Sequence, residues 1–141
     1  MGVPVFISDG LGIDSTALLA NLLGMSDAER GFPLSDLVVA TAMTGDEFRR
    51  TGELNDQFKL PLLRRHGVRY IQVSRAGQSE SDGIAVLDDS TSPQRMVMRG
   101  PWSLRDELRA SGTVPQLGGA RKCSYRAKGC LLYTSDAADE L

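Results

Sequence analysis

The sequence predicts an α/β fold in which a parallel sheet lies in the middle of three layers, with helices on both of its faces. Three strand patterns occur: a short apolar run at residues 3–7, a buried-strand pattern at 36–41 and an alternating pattern at 68–73. Helical spacing separates them, and a glycine turn joins the first strand to the first helix. Strand–helix–strand units are right-handed and parallel almost without exception. We therefore expect a β-α-β-α-β order in which the loops after the strands share one edge of the sheet.

The first strand passes into a helix through a turn that contains two glycines. The run 3–7 lacks helical spacing, Gly10 and Gly12 free the turn of side-chain bulk, and helical spacing begins at Asp14. Gly24 is placed to end this helix in a left-handed conformation. The pattern predicts a strand, a sharp turn and a helix.

This turn is a candidate anion site. A helix begins with unpaired N–H groups and about half a positive charge, so a phosphate against Gly12 would be bound by both. Ser15 and Thr16 could add hydroxyl donors. Asp14 would repel a phosphate, but it fits a helix cap or a ligand to a bridging Mg²⁺. An ordinary turn and helix start explain the same residues, so spacing alone leaves both interpretations open.

Residues 10–16, Gly-Leu-Gly-Ile-Asp-Ser-Thr, resemble the PP-loop of the ATP pyrophosphatase and phosphoadenosine phosphosulfate (PAPS) reductase superfamily, whose usual pattern is Ser-Gly-Gly-x-Asp-Ser. Gly10 stands where that family's Ser is common, and Leu11 where its middle Gly is common. The resemblance implies a Rossmann-like fold of the HUP type, which the adenine nucleotide alpha hydrolase-like proteins share. It also implies nucleotide contacts from the whole turn: Gly10, Leu11, Gly12, Ile13, Asp14, Ser15 and Thr16.

A second loop follows the second strand. Thr44, Gly45 and the acidic residues after them resemble the corresponding loop of the reductase-like members, although Met43 replaces the family's usual Asp. The resemblance implies that Thr44 and Gly45 contact the nucleotide. The alternative is a plain helix start, in which Asp46 is favoured by the positive end of the helix dipole.

The second helix is expected over residues 49–66. Pro61 removes a backbone hydrogen bond, so we expect a kink or two helices that meet near Leu60. His66 has a position typical of a helix end rather than of a catalytic residue. The predicted buried face consists of apolar residues: Phe48, Leu54, Phe58, Leu62 and Leu63.

The region after the third strand carries weaker signals. The apolar run 84–87 is predicted to be a small strand or part of a lid. Ser103 is expected to cap a short helix, and Trp102 is interpreted as a packing anchor rather than a platform for adenine.

A basic segment lies at residues 118–129. It resembles the family's Arg-x-Cys-Ser-x-x-x-Lys stretch, which lies close to the bound nucleotide in sulfonucleotide reductases. The resemblance implies that Arg121 binds the nucleotide and that Cys123 and Lys128, together with Asp14, are catalytic candidates. Arginine and lysine suit a phosphate or sulfate clamp. A solvated basic helix with a structural cysteine is the alternative.

Length and composition narrow the class of protein. A chain of 141 residues fits one domain, and 41% hydrophobic and 24% charged residues are ordinary for a globular protein. No apolar run reaches the roughly 20 residues needed to span a bilayer, and no leader pattern is present. Two cysteines give neither a disulfide framework nor zinc-ligand spacing. These features predict a cytoplasmic protein without membrane partners.

The last residues, 130–141, match the translation of a transposon-end sequencing adapter in one reading frame. We therefore expect a nucleotide-binding domain over residues 1–129 that is incomplete at its C-terminus, followed by a non-native tail. A natural polar tail is the alternative. Without Asp136, Asp139 and Glu140 the acidic residues fall from 18 to 15 against 16 basic ones, so the net charge becomes +1.

The resemblance implies a PP-loop enzyme that binds ATP or PAPS together with Mg²⁺. ATP pyrophosphatases adenylate a substrate and release pyrophosphate, whereas sulfonucleotide reductases pass sulfite to a C-terminal cysteine. Any such cysteine or iron–sulfur cluster would follow residue 129. A non-catalytic nucleotide-binding accessory protein of a phage or mobile element is the first alternative, and a plain α/β interaction domain is the second. An uncovered sheet edge would favour association with another copy.

Overall fold

The computed structural model describes residues 2–112 and residue 114. Its four strands form one sheet in the order β1-β2-β3-β4, with these bounds: β1 Val5–Ser8, β2 Leu37–Ala42, β3 Arg69–Arg75 and β4 Ile84–Ser90. The first three strands are parallel, and β4 is antiparallel to β3. The chain is therefore an α/β protein with a mixed, mostly parallel sheet, and the prediction of a wholly parallel sheet is wrong for β4.

The short connection between β3 and β4 explains the antiparallel strand. Only residues 76–83 separate the two strands, whereas a parallel crossover needs roughly a dozen residues or more. Of the two interpretations of the run 84–87, the strand is confirmed, and it continues to Ser90. Arg69 and Asp89 lie on these neighbouring strands and form a two-point ion pair of 2.9 and 2.7 Å, which lowers the pKa of the Asp89 carboxyl.

Helical segments connect the strands and follow them. Their bounds are α1 Ile13–Gly24, α2 Asp27–Arg30, α3 Arg49–Leu54, a π-helical stretch Asn55–Lys59, α4 Leu60–His66 and α5 Leu104–Ser111. Gly67 ends α4 in the left-handed conformation, as a helix end at His66 predicts. The left-handed end predicted at Gly24 is wrong, because Gly24 is the last helical residue of α1 and the extended Met25 follows it. Within the described residues, none of these helices combines the length and apolar character that crossing a bilayer requires.

The main core lies on one face of the sheet. Leu19 of α1 and Leu60 and Leu63 of α4 belong to one cluster, which also contains Val39 and Tyr70 of the central strands. Both crossovers move along the sheet in the same direction, and right-handed crossovers then place both helices on the same face.

The opposite face has a smaller cluster. In the part of the chain that the structure describes, this cluster consists of strand residues alone: Val38, Ala40, Ala42, Ile71, Val73 and Ile84. The prediction of helices on both faces is therefore not met by the described crossover helices. The strand order explains this difference, because it places the helices of both crossovers on the same face of the sheet.

The helix around Pro61 departs from the predicted register. The π-helical stretch ends at Lys59 and α4 begins at Leu60, so of the two expectations for Pro61 the structure shows two helical segments that meet at Leu60. Three residues of the predicted buried face are exposed, Phe48, Leu54 and Phe58, whereas Leu63 is fully buried. A π turn contains more residues than an α turn, so it rotates the face that regular spacing assigns to the core.

A chain segment without regular structure covers β3 next to α4. The buried Gln72 side chain donates to the carbonyl of Arg95 at 3.0 Å and accepts from the N–H of Val97 at 2.7 Å. Met96 and Met98 pack into the main core. This segment leads to α5, whose N-cap Ser103 forms a capping box with Asp106.

Candidate functional site

The glycine turn lies between the end of β1 and the start of α1, at the edge of the sheet where parallel strands end. The N–H of Asp9 still donates to the carbonyl of Ala40 in β2, at 2.8 Å, and the chain then leaves the sheet. Gly12 is the N-cap of α1, and no side chain bonds to the helix start from that position. A Cβ atom built on Gly10 or Gly12 would meet no atom within 4 Å. The turn therefore offers an open approach to an uncapped helix N-terminus.

Leu11 gives the turn its sharp bend. Its φ is +63°, in the left-handed region that glycine adopts most easily, and this is the position where the PP-loop pattern has its middle glycine. The N–H of Leu11 donates to Asp9 Oδ1 at 3.0 Å, and the side chain is buried in the main core. The leucine thus keeps a glycine-like backbone and anchors the turn from inside.

The hydroxyls after the turn already have partners within the chain. Ser15 Oγ lies 2.8 Å from Asp9 Oδ1, and Thr16 Oγ1 donates to the carbonyl of Gly12 at 2.7 Å. Each hydroxyl has one proton to donate, so the donor role expected of these groups would require a change of partner. By contrast, Ile13 and Asp14 are exposed, and Asp14 forms no hydrogen bond or ion pair with residues in the described range.

A buried ionic cluster adjoins the turn. Lys59 Nζ lies 2.8 and 3.0 Å from the two carboxylate oxygens of Asp9, and the Tyr70 hydroxyl donates to Asp9 Oδ2 at 2.9 Å. The side chains of Lys59 and Asp9 are only 3% and 0% exposed. Burial, and then the negative charge of Asp9, raise the pKa of the Tyr70 hydroxyl far above its ordinary value.

The sequence reasoning missed this cluster. Asp9 and Lys59 are fifty positions apart, and no short pattern joins them. Two signals were available: Asp9 is a carboxylate directly after the apolar run of the first strand, and Lys59 stands between two apolar residues, Phe58 and Leu60. The π-helical stretch ends at Lys59 and turns this side chain inward, and such stretches are frequent at functional sites.

The second loop contacts α5 instead of presenting an open surface. The carbonyl of Thr44 accepts from the N–H of Leu104 at 2.8 Å, and a Cβ on Gly45 would lie 2.7 Å from Ser103 Cβ. Asp46 accepts from the N–H of Arg105 at 2.6 Å and also forms an ion pair with its side chain. The acidic residue expected at the start of α3 therefore lies at the start of α5.

Three other site features were predicted: a packing role for Trp102, a magnesium ligand at Asp14 and the basic segment 118–129. Trp102 Nε1 donates to Glu107, and this carboxylate also binds Arg75, so the indole N–H has a partner within the chain. No group of three or more acidic, histidine or cysteine side chains that could hold a metal occurs among the residues that are described, which leaves Asp14 as a single carboxylate. Arg121, Cys123 and Lys128, and the tail at 130–141, lie outside the described residues.

Comparisons with known proteins give no family. No protein-family model, curated protein or solved structure matches the chain significantly. The fold and the turn therefore define an α/β protein with an open glycine turn at the carboxyl edge of its parallel strands, and the function has to be argued from that geometry.

Proposed function

We propose that the chain binds the phosphates of an adenine nucleotide at the turn 10–16, as a PP-loop protein related to PAPS reductases and ATP pyrophosphatases. The observation that carries the proposal is the open, uncapped start of α1 directly after a parallel strand. Ligands of open α/β sheets bind outside the carboxyl ends of the strands, and phosphates bind where helix N–H groups point outward.

The side chains around the turn fit this role. A Cβ on Gly10 or Gly12 would meet no atom within 4 Å, so the space beside these residues is free for a phosphate oxygen to hydrogen-bond to the backbone N–H groups. α1 spans Ile13–Gly24, which is long enough for a full dipole at its N-terminus. Leu11 turns its bulk into the core, so it does not close this approach.

Asp14 fits a magnesium ligand. Mg²⁺ is commonly held by one or two carboxylates together with substrate phosphates, and Asp14 is an exposed carboxylate in the first turn of α1. When bound, the ion would neutralise phosphate charge during transfer at the α-phosphate. The chain's own part is to orient the phosphates with the backbone of the turn and to keep Asp14 on the solvent side.

The reaction is proposed from the resemblance alone. The two candidate chemistries are release of pyrophosphate from ATP, and transfer of the sulfo group of PAPS to a cysteine thiolate with adenosine 3′,5′-bisphosphate as the leaving group. Arg121 is proposed as a nucleotide contact, and Cys123 and Lys128 as catalytic residues. A non-catalytic nucleotide-binding protein is the second candidate, because the Thr44 and Gly45 loop, from which further nucleotide contacts are expected, contacts α5.

Calorimetry with ATP and with PAPS, with and without Mg²⁺, tests the proposal. Gly12→Val places a side chain in the proposed phosphate position, and Gly24→Val makes the same change at the other end of α1. Neither added Cβ meets an atom within 4 Å, so both variants should remain folded. We expect micromolar binding by the wild type and by Gly24→Val, and at least roughly tenfold weaker binding by Gly12→Val.

Two further readings complete this test. Asp14→Ala should weaken binding only when Mg²⁺ is present, and release of pyrophosphate from ATP separates an enzyme from a binding protein. If the folded wild type binds neither nucleotide, or if Gly12→Val binds as tightly as Gly24→Val, the turn is not a nucleotide site in this chain.

A further inference from the structure

We infer that Asp9 positions the glycine turn and that Lys59 and Tyr70 hold the Asp9 carboxylate in place for this task. The ligand part of this inference rests on the function proposed above, whereas the conformational part does not. Asp9 lies outside the residues that match the PP-loop pattern.

Asp9 forms hydrogen bonds with both ends of the turn through one carboxylate oxygen. Its Oδ1 atom accepts from the N–H of Leu11 at 3.0 Å and from Ser15 Oγ at 2.8 Å. The first contact fixes the residue with φ of +63°, and the second fixes the first turn of α1. A single carboxylate oxygen therefore determines where the N–H groups after Gly12 point.

The remaining contacts leave Asp9 no other role. Lys59 contacts both carboxylate oxygens, and Tyr70 contacts Oδ2, so both oxygens have donors on them. The carboxylate is buried and therefore cannot reach a ligand or a bridging metal directly. Asp14, which is exposed, is the carboxylate that faces solvent.

Stability alone does not account for the cluster. A buried ion pair can often be replaced by apolar side chains of similar volume without loss of stability, because the desolvation of two charges offsets their attraction. This pair instead holds an acceptor at a fixed point under a non-glycine residue with positive φ. Such support of a binding loop from behind is a known requirement for a well-ordered site.

Two double variants isolate the acceptor. Asp9→Leu/Lys59→Met and Asp9→Asn/Lys59→Met remove the same ion pair and leave the same net charge. Only the variant with Asn keeps an oxygen for Leu11 and Ser15. Each variant is examined in three ways: urea unfolding, hydrogen exchange of the Leu11 amide, and calorimetry with ATP and Mg²⁺.

We expect the Leu variant to lose protection at the Leu11 amide while β2 and β3 stay protected, and to bind ATP roughly tenfold or more weakly than the Asn variant. A merely structural role would change unfolding in both variants and leave the affinity of the folded protein equal. Equal affinity in the two variants would therefore overturn the inference.

The test separates this inference from the proposed function. If the wild type does not bind ATP, the nucleotide proposal fails, and hydrogen exchange of the Leu11 amide alone tests whether Asp9 positions the turn. Loss of protection confined to the turn in the Leu variant would then support the conformational part, and unchanged protection would overturn it. If both double variants remain folded and lose ATP binding to the same extent, the loss follows the absence of Lys59, which they share, and the positioning role of Asp9 is refuted.

Discussion

The contact between the second loop and α5 predicts an unusually large cost for a single methyl group. Gly45 has φ of +81°, and a Cβ on it would lie 2.7 Å from Ser103 Cβ and 3.4 Å from Ser103 Cα. Gly45→Ala therefore combines a left-handed alanine, which costs about 1–2 kcal/mol, with overpacking, which costs about 1–3 kcal/mol. We expect the free energy of unfolding to fall by roughly 2–5 kcal/mol.

Gly67→Ala is the matched control. Gly67 also has positive φ, at +63°, but a Cβ on it would meet no atom within 4 Å, so this variant should lose only the backbone contribution of about 1–2 kcal/mol. Urea unfolding of both variants gives the difference. The reasoning is refuted if the two substitutions cost the same.

Hydrogen exchange distinguishes a local from a global response to Gly45→Ala. The Leu104 amide donates to the Thr44 carbonyl at 2.8 Å, so it reports whether α5 stays on the loop. If the clash is relieved by release of α5, this amide should lose protection before the strands do, and the loss of global stability should be smaller. An unchanged Leu104 amide together with unchanged stability would contradict the described packing.

Two other predictions follow from the cluster and the core. Tyr70 ionises near pH 10 in the unfolded chain but stays protonated when folded, so its contribution to stability is complete below pH 10 and is lost as the pH rises above it. Tyr70→Phe should lower the free energy of unfolding by about 1.5–3 kcal/mol at pH 8. Above pH 10 this difference between the wild type and the variant should shrink by about 1.4 kcal/mol per pH unit. A difference that stays constant from pH 8 to 11 in urea unfolding would contradict this prediction. Leu63→Ala should lower the free energy of unfolding by about 2–5 kcal/mol, because Leu63 is fully buried. Phe58→Ser should change it by no more than about 0.5 kcal/mol, because Phe58 is 63% exposed. Equal costs would show that Phe58 is buried, as regular helical spacing predicts.

The first half of the fold could be predicted because its signals are local. The run before Gly10, the helical spacing from Asp14 and the β-branched run of β2 each specify one element within a few residues. β4 is harder to predict from the sequence, because its second half contains Asp88 and Asp89. Its direction depends on the length of the connection 76–83 between β3 and β4. The faces of the sheet depend on strand order, which no local pattern encodes.

The backbone of the candidate site could be predicted from the sequence, but the buried side chains that hold the turn could not. The turn and the start of α1 lie where glycine and helix spacing place them, but Asp9 and Lys59 meet only after the whole sheet has formed. The π-helical stretch that aims Lys59 also moved Phe58 to the surface, so one distortion near Pro61 explains both a missed site residue and a misassigned core residue. Gly45 and Asp46 likewise find their partners in α5, nearly sixty residues later.

A titration of the backbone amides with ATP and Mg²⁺, followed residue by residue by NMR, tests the central claim most directly. The account predicts the largest shifts at the amides of residues 10–16, with the amides of β4 and the far end of α1 unchanged. It also predicts that inorganic pyrophosphate reproduces the shifts at the turn. Shifts centred elsewhere on the folded chain, or none at millimolar ATP, would contradict the assignment of this turn as a phosphate site.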